Sequence, residues 1–226
     1  MNTTVFNLII LDESGSMSGL TEQTISGCNE TINVARAGAE KNAETMRSLM
    51  SVYAFQDGGP VRSRYILKNE DAAKARHITH EDYSPCGNTP LLDAVGSTLT
   101  ELEAVAASHE DATGVITIIT DGYENSSHRY SWADVARLIA RFKEKGWIVN
   151  LIGANIDVNE MAERMNIDNR MAFSANKGDT RRMWSDYNRN LSDEMECYAN
   201  ESRMCDMSVE DRKEMRKARS KSFFRR

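Results

Sequence analysis

The sequence has no long apolar segment, few cysteines and few prolines, and each shortage argues against a class of protein. No stretch of its 226 residues approaches the roughly 18 apolar residues of a membrane span. Its four cysteines form no CxxC pair, which disfavours a zinc ribbon or a thioredoxin-type site. Only three prolines are present, so a long low-complexity linker is not expected. The apolar run at residues 5–11 is too short for a signal sequence, so we expect a cytoplasmic protein that does not contact a membrane.

Charge is unevenly distributed along a chain of otherwise ordinary composition. Hydrophobic residues make up 40% and charged residues 27%, as in soluble globular proteins that bury a substantial core. The net charge is −6, yet residues 206–226 contain eight basic and four acidic residues. The rest of the chain is therefore strongly acidic, which does not indicate a nucleic-acid-binding surface. The basic end could contact an anionic partner, but a solvated helix end is the more common explanation.

Apolar strands alternate with helical segments along the sequence. Near-continuous apolar runs predict three strands buried on both faces: residues 5–11, 115–120 and 147–152. Apolar spacing predicts helices at residues 19–46, 71–76, 90–107, 132–145 and 158–165, and a last one from about 180. This alternation predicts an α/β fold in three layers, with a doubly wound, mainly parallel sheet between helices.

One antiparallel strand is expected at the edge of this sheet. The sequence Asp-Gly-Gly-Pro at residues 57–60 is a turn signal between two further strands, 49–55 and 61–67. A small strand is expected at 171–174. In the last helix one face carries large side chains that we expect to pack in the core: Trp184, Tyr187, Leu191, Met195 and Tyr198.

Oxygen-bearing side chains follow two of the buried strands. Asp12, Ser14 and Ser16 come at the end of the first strand, and Asp121 comes directly after residues 115–120. Thr89 precedes Pro90, where we expect it to cap the helix that begins there. Ligands of doubly wound sheets bind at the carboxyl ends of the strands. Hydroxyls and few carboxylates favour Mg²⁺, and two aspartates would leave the ion about neutral and able to accept an anionic oxygen from a partner.

These motifs, in this order, resemble the metal-ion-dependent adhesion site (MIDAS) of von Willebrand factor A domains. Asp12, Ser14 and Ser16 match its DxSxS motif, Thr89 its isolated threonine and Asp121 its distal aspartate. The resemblance, over residues 4–175, implies a six-stranded, mainly parallel sheet with Mg²⁺ at its top, or else Mn²⁺ or Ca²⁺. It implies that the three hydroxyls bind the ion directly and the two aspartates directly or through water. An Asp or Glu of a partner protein would complete the coordination.

A closer resemblance is to small stand-alone A-domain proteins of the bacterial cytoplasm. They share strings with this chain at residues 12–17, 88–94 and 120–127. The resemblance implies a Mg²⁺-dependent, non-enzymatic protein-binding module in a bacterial multiprotein or stress-response assembly, with an AAA+ ATPase system as partner by family analogy. We expect the A domain at residues 1–178 and a helical extension at 179–226, whose end beyond about 206 is peripheral.

An enzyme is the alternative to a binding module. Phosphatases of the haloacid dehalogenase type also begin with an apolar strand that ends in Asp, and they use Mg²⁺. Their general acid is a second Asp two residues later, where this chain has Ser14, and no phosphate-neutralising Lys is evident. Neither a GxSxG nor a Walker A string is present. Glu13 and Glu124 flank the predicted site and could tune its charge or contact a partner, but we expect them to be solvated loop residues.

Overall fold

A six-stranded sheet forms the middle layer of the computed structural model, which describes residues 3–58, 62–204 and 206–224. In chain order its strands are β1 (Thr3–Asp12), β2 (Met46–Phe55), β3 (Arg64–Asp71), β4 (Ala112–Thr120), β5 (Ile148–Ala154) and β6 (Asn169–Phe173). Across the sheet the order is β3-β2-β1-β4-β5-β6. All neighbours are parallel except β2 and β3, which pair antiparallel at one edge. The predicted sheet is confirmed.

Helices cover both faces of this sheet. They are α1 (Thr21–Lys41), α2 (Leu91–Ala106), α3 (Trp132–Glu144), α4 (Val158–Arg164), α5 (Lys177–Arg203) and α6 (Val209–Arg219). Side chains of α1 and α5 share one hydrophobic cluster with one face of the sheet, whereas α2, α3 and α4 share a second cluster with the other face. The predicted three layers are therefore present. Among the described residues, no helix is both long enough and apolar enough to cross a bilayer.

Strand β1 shows why its sequence is apolar almost throughout. Val5 and Ile9 belong to the cluster under α1 and α5, whereas Phe6 and Ile10 belong to the cluster under α2 and α3. Successive side chains of a strand point to opposite faces, so a strand covered by helices on both sides needs apolar residues at odd and even positions alike.

The strand order places a crevice at the carboxyl ends of β1 and β4. After β1 the chain builds β2 and β3 on one side, and then returns to build β4, β5 and β6 on the other. The register pairs Leu11 of β1 with Ile119 of β4, so the residues that follow both strands emerge next to each other. This is the switch point at which doubly wound sheets bind their ligands.

Three local predictions are wrong. Residues 71–76 form no helix: Asp71 ends β3, and residues 72–74 form a turn in which the Asp71 carboxylate accepts a hydrogen bond from the Ala73 backbone N–H at 3.1 Å. Thr89 is not the helix cap, since that position is Pro90, which forms no side-chain cap. Strand β3 begins at Arg64 and not at residue 61, while residues 59–61 of the predicted turn and strand lie outside the described part of the chain.

Helix α5 packs closely on α1. A Cβ atom on Gly27 of α1 would lie 2.1 Å from the indole ring of Trp184, so only glycine permits this approach. The predicted apolar face of α5 is confirmed, because all five of its large side chains are buried. The division of the chain into 1–178 and 179–226 stays a prediction.

The expectation that the chain beyond about residue 206 is peripheral is wrong. Arg216 of α6 is 1% exposed and donates hydrogen bonds to Asp111 at 2.5 Å and to Glu201 at 2.8 Å. Arg212 also pairs with Asp111, at 3.1 Å, and Phe223 is fully buried in the cluster under α1 and α5. The basic end of the sequence is thus partly internal, because its arginines neutralise buried carboxylates that the sequence places far away.

Candidate functional site

The structure brings the predicted metal-binding residues together at the carboxyl ends of β1 and β4. Asp12 is the last residue of β1 and Asp121 directly follows β4. Ser14 follows β1, and Ser16 lies in the 3₁₀ turn Gly15–Leu20 that leads into α1. Thr89 precedes α2 and lies beside the cluster. Its Oγ1 and the Oγ of Ser16 are both close to Gly122, at 3.1 and 3.9 Å from the position that a Cβ atom on that glycine would occupy.

Ser16 links two of the predicted ligand segments. Its hydroxyl donates a hydrogen bond to Asp121 Oδ1 at 2.5 Å and lies 3.1 Å from the hydroxyl oxygen of Ser14. Adjacent ligands of an octahedral Mg²⁺ lie about 3 Å apart, because the metal–oxygen bonds are about 2.1 Å long and perpendicular. The hydroxyl oxygens of Ser14 and Ser16 are therefore spaced like neighbouring ligands of one ion, and the donor set of the cluster fits a hard divalent cation.

Three hydrogen bonds fix the position of Asp12. Its Oδ1 accepts from the Ser14 backbone N–H at 2.7 Å, and its Oδ2 accepts from the Thr120 hydroxyl at 2.5 Å. Its backbone carbonyl accepts from the Tyr83 hydroxyl at 2.6 Å. Sequence reasoning missed both supporting residues. Thr120 could have been found, since it immediately precedes Asp121, but Tyr83 carried no signal because it lies 71 positions from Asp12.

Burial makes the site receptive to positive charge. It raises the pKa of Asp12 to about 6, although hydrogen bonds from Thr120 and Ser14 act in the opposite direction. Burial also raises the pKa of Asp121, and the charge of Asp121 adds to the rise at Asp12. Two carboxylates that are costly to ionise side by side are stabilised by a cation placed between them.

Thr89 presents a hydroxyl with no partner among the described residues. Thr89 is 3% exposed, and its backbone N–H donates to the Asn125 side chain at 2.9 Å. Helix α2 does not use it as a cap, because the Glu124 carboxylate accepts the Leu92 N–H at 2.9 Å instead. The Thr89 hydroxyl is therefore available as a ligand.

Glu124 is not a solvated loop residue, contrary to the expectation from sequence. It is half-buried, and its carboxylate also accepts from the backbone N–H groups of Ser126, at 2.9 Å, and Ser127, at 2.7 Å. These bonds hold the loop after Asp121 against the start of α2. Glu124 therefore positions the segments that carry Asp121 and Thr89.

Glu13 is likewise buried and positions a loop. It is fully buried, forms an ion pair with Arg64 at 2.6 Å and accepts from the Ser84 backbone N–H at 2.6 Å. Its own carbonyl accepts from the Cys86 N–H at 2.9 Å. The expectation of a solvated residue is wrong, because its half-buried arginine partner on β3 was not visible in the sequence. Glu13 ties the end of β1 to the segment that leads to Thr89.

Comparisons with known proteins support the fold. No family model matches the sequence, and no curated protein matches it. Among solved structures, a von Willebrand factor type A protein from Catenulispora acidiphila is 17% identical, with a TM-score of 0.50, over 88% of this chain and 43% of its own. Manganese-loaded TRAP protein from Plasmodium vivax is 16% identical, with a TM-score of 0.50, over 78% of this chain and 71% of its own.

A third match has an occupied metal site. Proximal thread matrix protein 1 from the mussel byssus, with a zinc-occupied MIDAS motif, is 13% identical. The alignment covers 88% of this chain and 48% of that one, with a TM-score of 0.53. The chain thus spans less than half of the Catenulispora and mussel chains. At these identities the similarity is one of fold.

Proposed function

We propose, from the von Willebrand factor A fold of this chain and the oxygen cluster at its switch point, that it is a divalent-cation-dependent protein-binding module. In this proposal one Mg²⁺ is held by the cluster residues Asp12, Ser14, Ser16, Thr89 and Asp121. The ion supplies a positive centre that attracts a carboxylate, and an Asp or Glu of a partner protein occupies the remaining coordination position.

The observation that carries the proposal is the position of Ser16. It joins Ser14 to Asp121 through its hydroxyl, and it is exposed while the other four residues of the cluster are at most 6% exposed. An ion bound there would be held from below by buried oxygens and would face solvent beside Ser16. An incoming carboxylate could reach it without a change in the fold.

The choice of ion rests on the donor set and on the related folds. The TRAP structure is manganese-loaded and the mussel protein has a zinc-occupied MIDAS motif, which supports a divalent cation. Three neutral hydroxyls and two carboxylates, all oxygen, are the ligands that Mg²⁺ prefers. The two carboxylates balance the ion's charge, so it retains affinity for one more anionic oxygen.

The phosphatase alternative has less support. Its nucleophile would be Asp12, but both carboxylate oxygens of Asp12 accept hydrogen bonds and the residue is fully buried. The general-acid position holds Ser14, whose hydroxyl faces Ser16. We therefore expect no Mg²⁺-dependent hydrolysis of p-nitrophenyl phosphate. Hydrolysis that is lost in Asp12→Asn would favour the enzyme instead.

Calorimetric titration of the full chain with MgCl₂ and MnCl₂ tests the metal site. We expect one weak site per chain, abolished in Ser16→Ala. Ser18→Ala is the matched control, because Ser18 lies in the same 3₁₀ turn, is exposed, and its hydroxyl has no hydrogen-bond partner among the described residues. Equal binding by the Ser16 and Ser18 variants would contradict the assignment.

Capture from the native cell tests the partner. The proposal expects a protein that is retained in Mg²⁺, released by EDTA and lost with Ser16→Ala but not with Ser18→Ala. Replacing one Asp or Glu of that protein by its amide should abolish binding. By family analogy we propose an AAA+ ATPase system in the bacterial cytoplasm as the first candidate. Retention that is indifferent to EDTA would contradict a cation-mediated contact.

A further inference from the structure

Tyr123 is a large aromatic side chain exposed beside the proposed cation site. It is two positions after Asp121 and 53% exposed. Only Met204 and Met215 are comparably exposed among the large hydrophobic residues that the structure describes. Both are C-terminal. Met215 lies in α6, which contacts Asp111 just before β4 begins, and therefore at the end of the sheet opposite the proposed site. Among the described residues, Tyr123 is therefore the large exposed apolar side chain at the end of the sheet where the proposed cation site lies.

The ring of Tyr123 is held in place at both ends. Its hydroxyl accepts a hydrogen bond from the Asp157 backbone N–H at 2.8 Å. On one side in the chain, the Gly122 backbone N–H donates a hydrogen bond to the Thr120 hydroxyl oxygen at 3.2 Å. On the other side, Glu124 is fastened to the start of α2. Because the ring is already held in place, packing a partner side chain against it costs little conformational entropy of Tyr123. This low cost is typical of tyrosines that contribute to binding.

Apart from Tyr123, the exposed residues that flank the proposed ligands along the chain are uncharged. They are Gly15, Cys86, Gly87, Asn88 and Asn125. Two carboxylates lie nearby: Glu13 is buried and paired with Arg64, whereas Asp57 accepts the backbone N–H of Asn88 at 2.7 Å and keeps its negative charge. A partner would therefore meet the cation, small polar groups, one carboxylate and one aromatic ring.

We propose that Tyr123 is a second anchor of this site, selecting partners that carry an apolar side chain within a few residues of their cation-binding Asp or Glu. The inference rests on the proposed function and specifies its partner. A second acidic side chain would lose hydration and be repelled by Asp57, whereas an apolar side chain gains from burial against the ring. Tyrosines in such positions are frequent sources of binding energy in interfaces.

Selection from a phage-displayed library of random linear peptides tests this inference. The full chain is used in Mg²⁺, and bound phage are eluted with EDTA. We expect enriched peptides to share an Asp or Glu with an aromatic or aliphatic residue close to it. For a synthetic peptide of this type, Tyr123→Ala should lower the affinity about tenfold while Mg²⁺ affinity is unchanged. Met215→Ala, a truncation of an exposed apolar residue in α6, should change neither.

A double-mutant cycle identifies the contact. Replacing the apolar peptide residue by Ala should weaken binding to the wild type by a similar factor, but hardly weaken binding to Tyr123→Ala. Acidic, Mg²⁺-dependent peptides without apolar enrichment, or equal affinity of Tyr123→Ala and wild type, would overturn the inference and leave the proposed function standing. If EDTA elutes no acidic peptides, or if Asp121→Asn binds them equally well, both fail.

Discussion

The Thr120 hydroxyl donates a 2.5 Å hydrogen bond to Asp12 Oδ2, across 108 positions of sequence. Thr120 ends β4 and Asp12 ends the neighbouring β1. The bond fixes the side chain of a proposed ligand from the strand that also delivers Asp121. The geometry of the site therefore depends on the pairing of β1 with β4.

Thr120→Val should weaken both folding and metal binding. The substitution keeps the shape of the side chain but leaves Oδ2 of a buried carboxylate without its donor, which costs about 1–3 kcal/mol. Urea unfolding should show this loss, and calorimetry should show a lower Mg²⁺ affinity. Thr100→Val, on the partly exposed face of α2, removes a hydroxyl bonded to a backbone carbonyl and is the control. Unchanged Mg²⁺ affinity in Thr120→Val would show that the bond does not orient Asp12.

Asp121→Asn should weaken metal binding strongly without unfolding the protein. Its interactions are with Ser16 and, as proposed, with the cation, and not with the hydrophobic clusters. Without metal, the change removes repulsion with Asp12, so the melting temperature should not fall. The Mg²⁺ affinity should drop by more than about tenfold, or ~1.4 kcal/mol. Asp193→Asn, exposed on α5, should change neither quantity. A large fall in the melting temperature of metal-free Asp121→Asn would disprove the prediction.

Arg216→Met should destabilise the fold strongly, and Lys217→Met should not. Arg216 is buried between Asp111 and Glu201. Removing it leaves Asp111 to Arg212 and Glu201 to Arg219, so both buried carboxylates lose part of their counter-charge, at a cost of up to about 3–5 kcal/mol. Lys217 is next in the helix, exposed, and 3.6 Å from Glu214, a pair worth about 0.2–1 kcal/mol. Chemical denaturation of both variants checks this. Similar midpoints would mean that α6 contributes little to stability.

A chain that ends at Met204 should lose cooperative unfolding. It lacks Arg216 and the buried Phe223, so it exposes a hydrophobic cluster and strands Asp111 without its arginines. Thermal melts followed by circular dichroism test this expectation. A sharp transition near that of the full chain would restore the view that the C-terminal segment is peripheral.

Asp111 should make stability depend on pH at the acidic end. Burial alone would raise its pKa, but hydrogen bonds and charge from Arg216, with help from Thr3 and Arg212, lower it below the ordinary value. A lowered pKa contributes stability that is present above the unfolded-state pKa of about 3.9 and is lost as the pH falls through the folded-state pKa. Urea unfolding from pH 6 to pH 3 should show a steeper fall for wild type than for Asp111→Asn. Equal slopes would contradict this role, and Asp193→Asn should match the wild type.

The sequence by itself determined the sheet, most helices and the identity of the proposed ligands. Those features are written locally: apolar runs in β1, β4 and β5, three- and four-residue spacing in the helices, and a DxSxS string directly after a strand. Local patterns suffice because a strand covered on both faces, or a helix covered on one, restricts the residues at each position. The general rule for doubly wound sheets then brings Asp12 and Asp121 to one edge.

Only the tertiary structure decided which charges are internal. Glu13 and Arg216 look like surface residues in sequence, yet each is buried against a partner, Arg64 in one case and Asp111 in the other. Glu13 and Arg64 are 51 positions apart in the sequence, and Asp111 and Arg216 are 105 apart, so no local pattern encodes either pair. An ionised side chain can be buried only where an opposite charge lies beside it. Which charges lie side by side is determined by the topology of the folded chain.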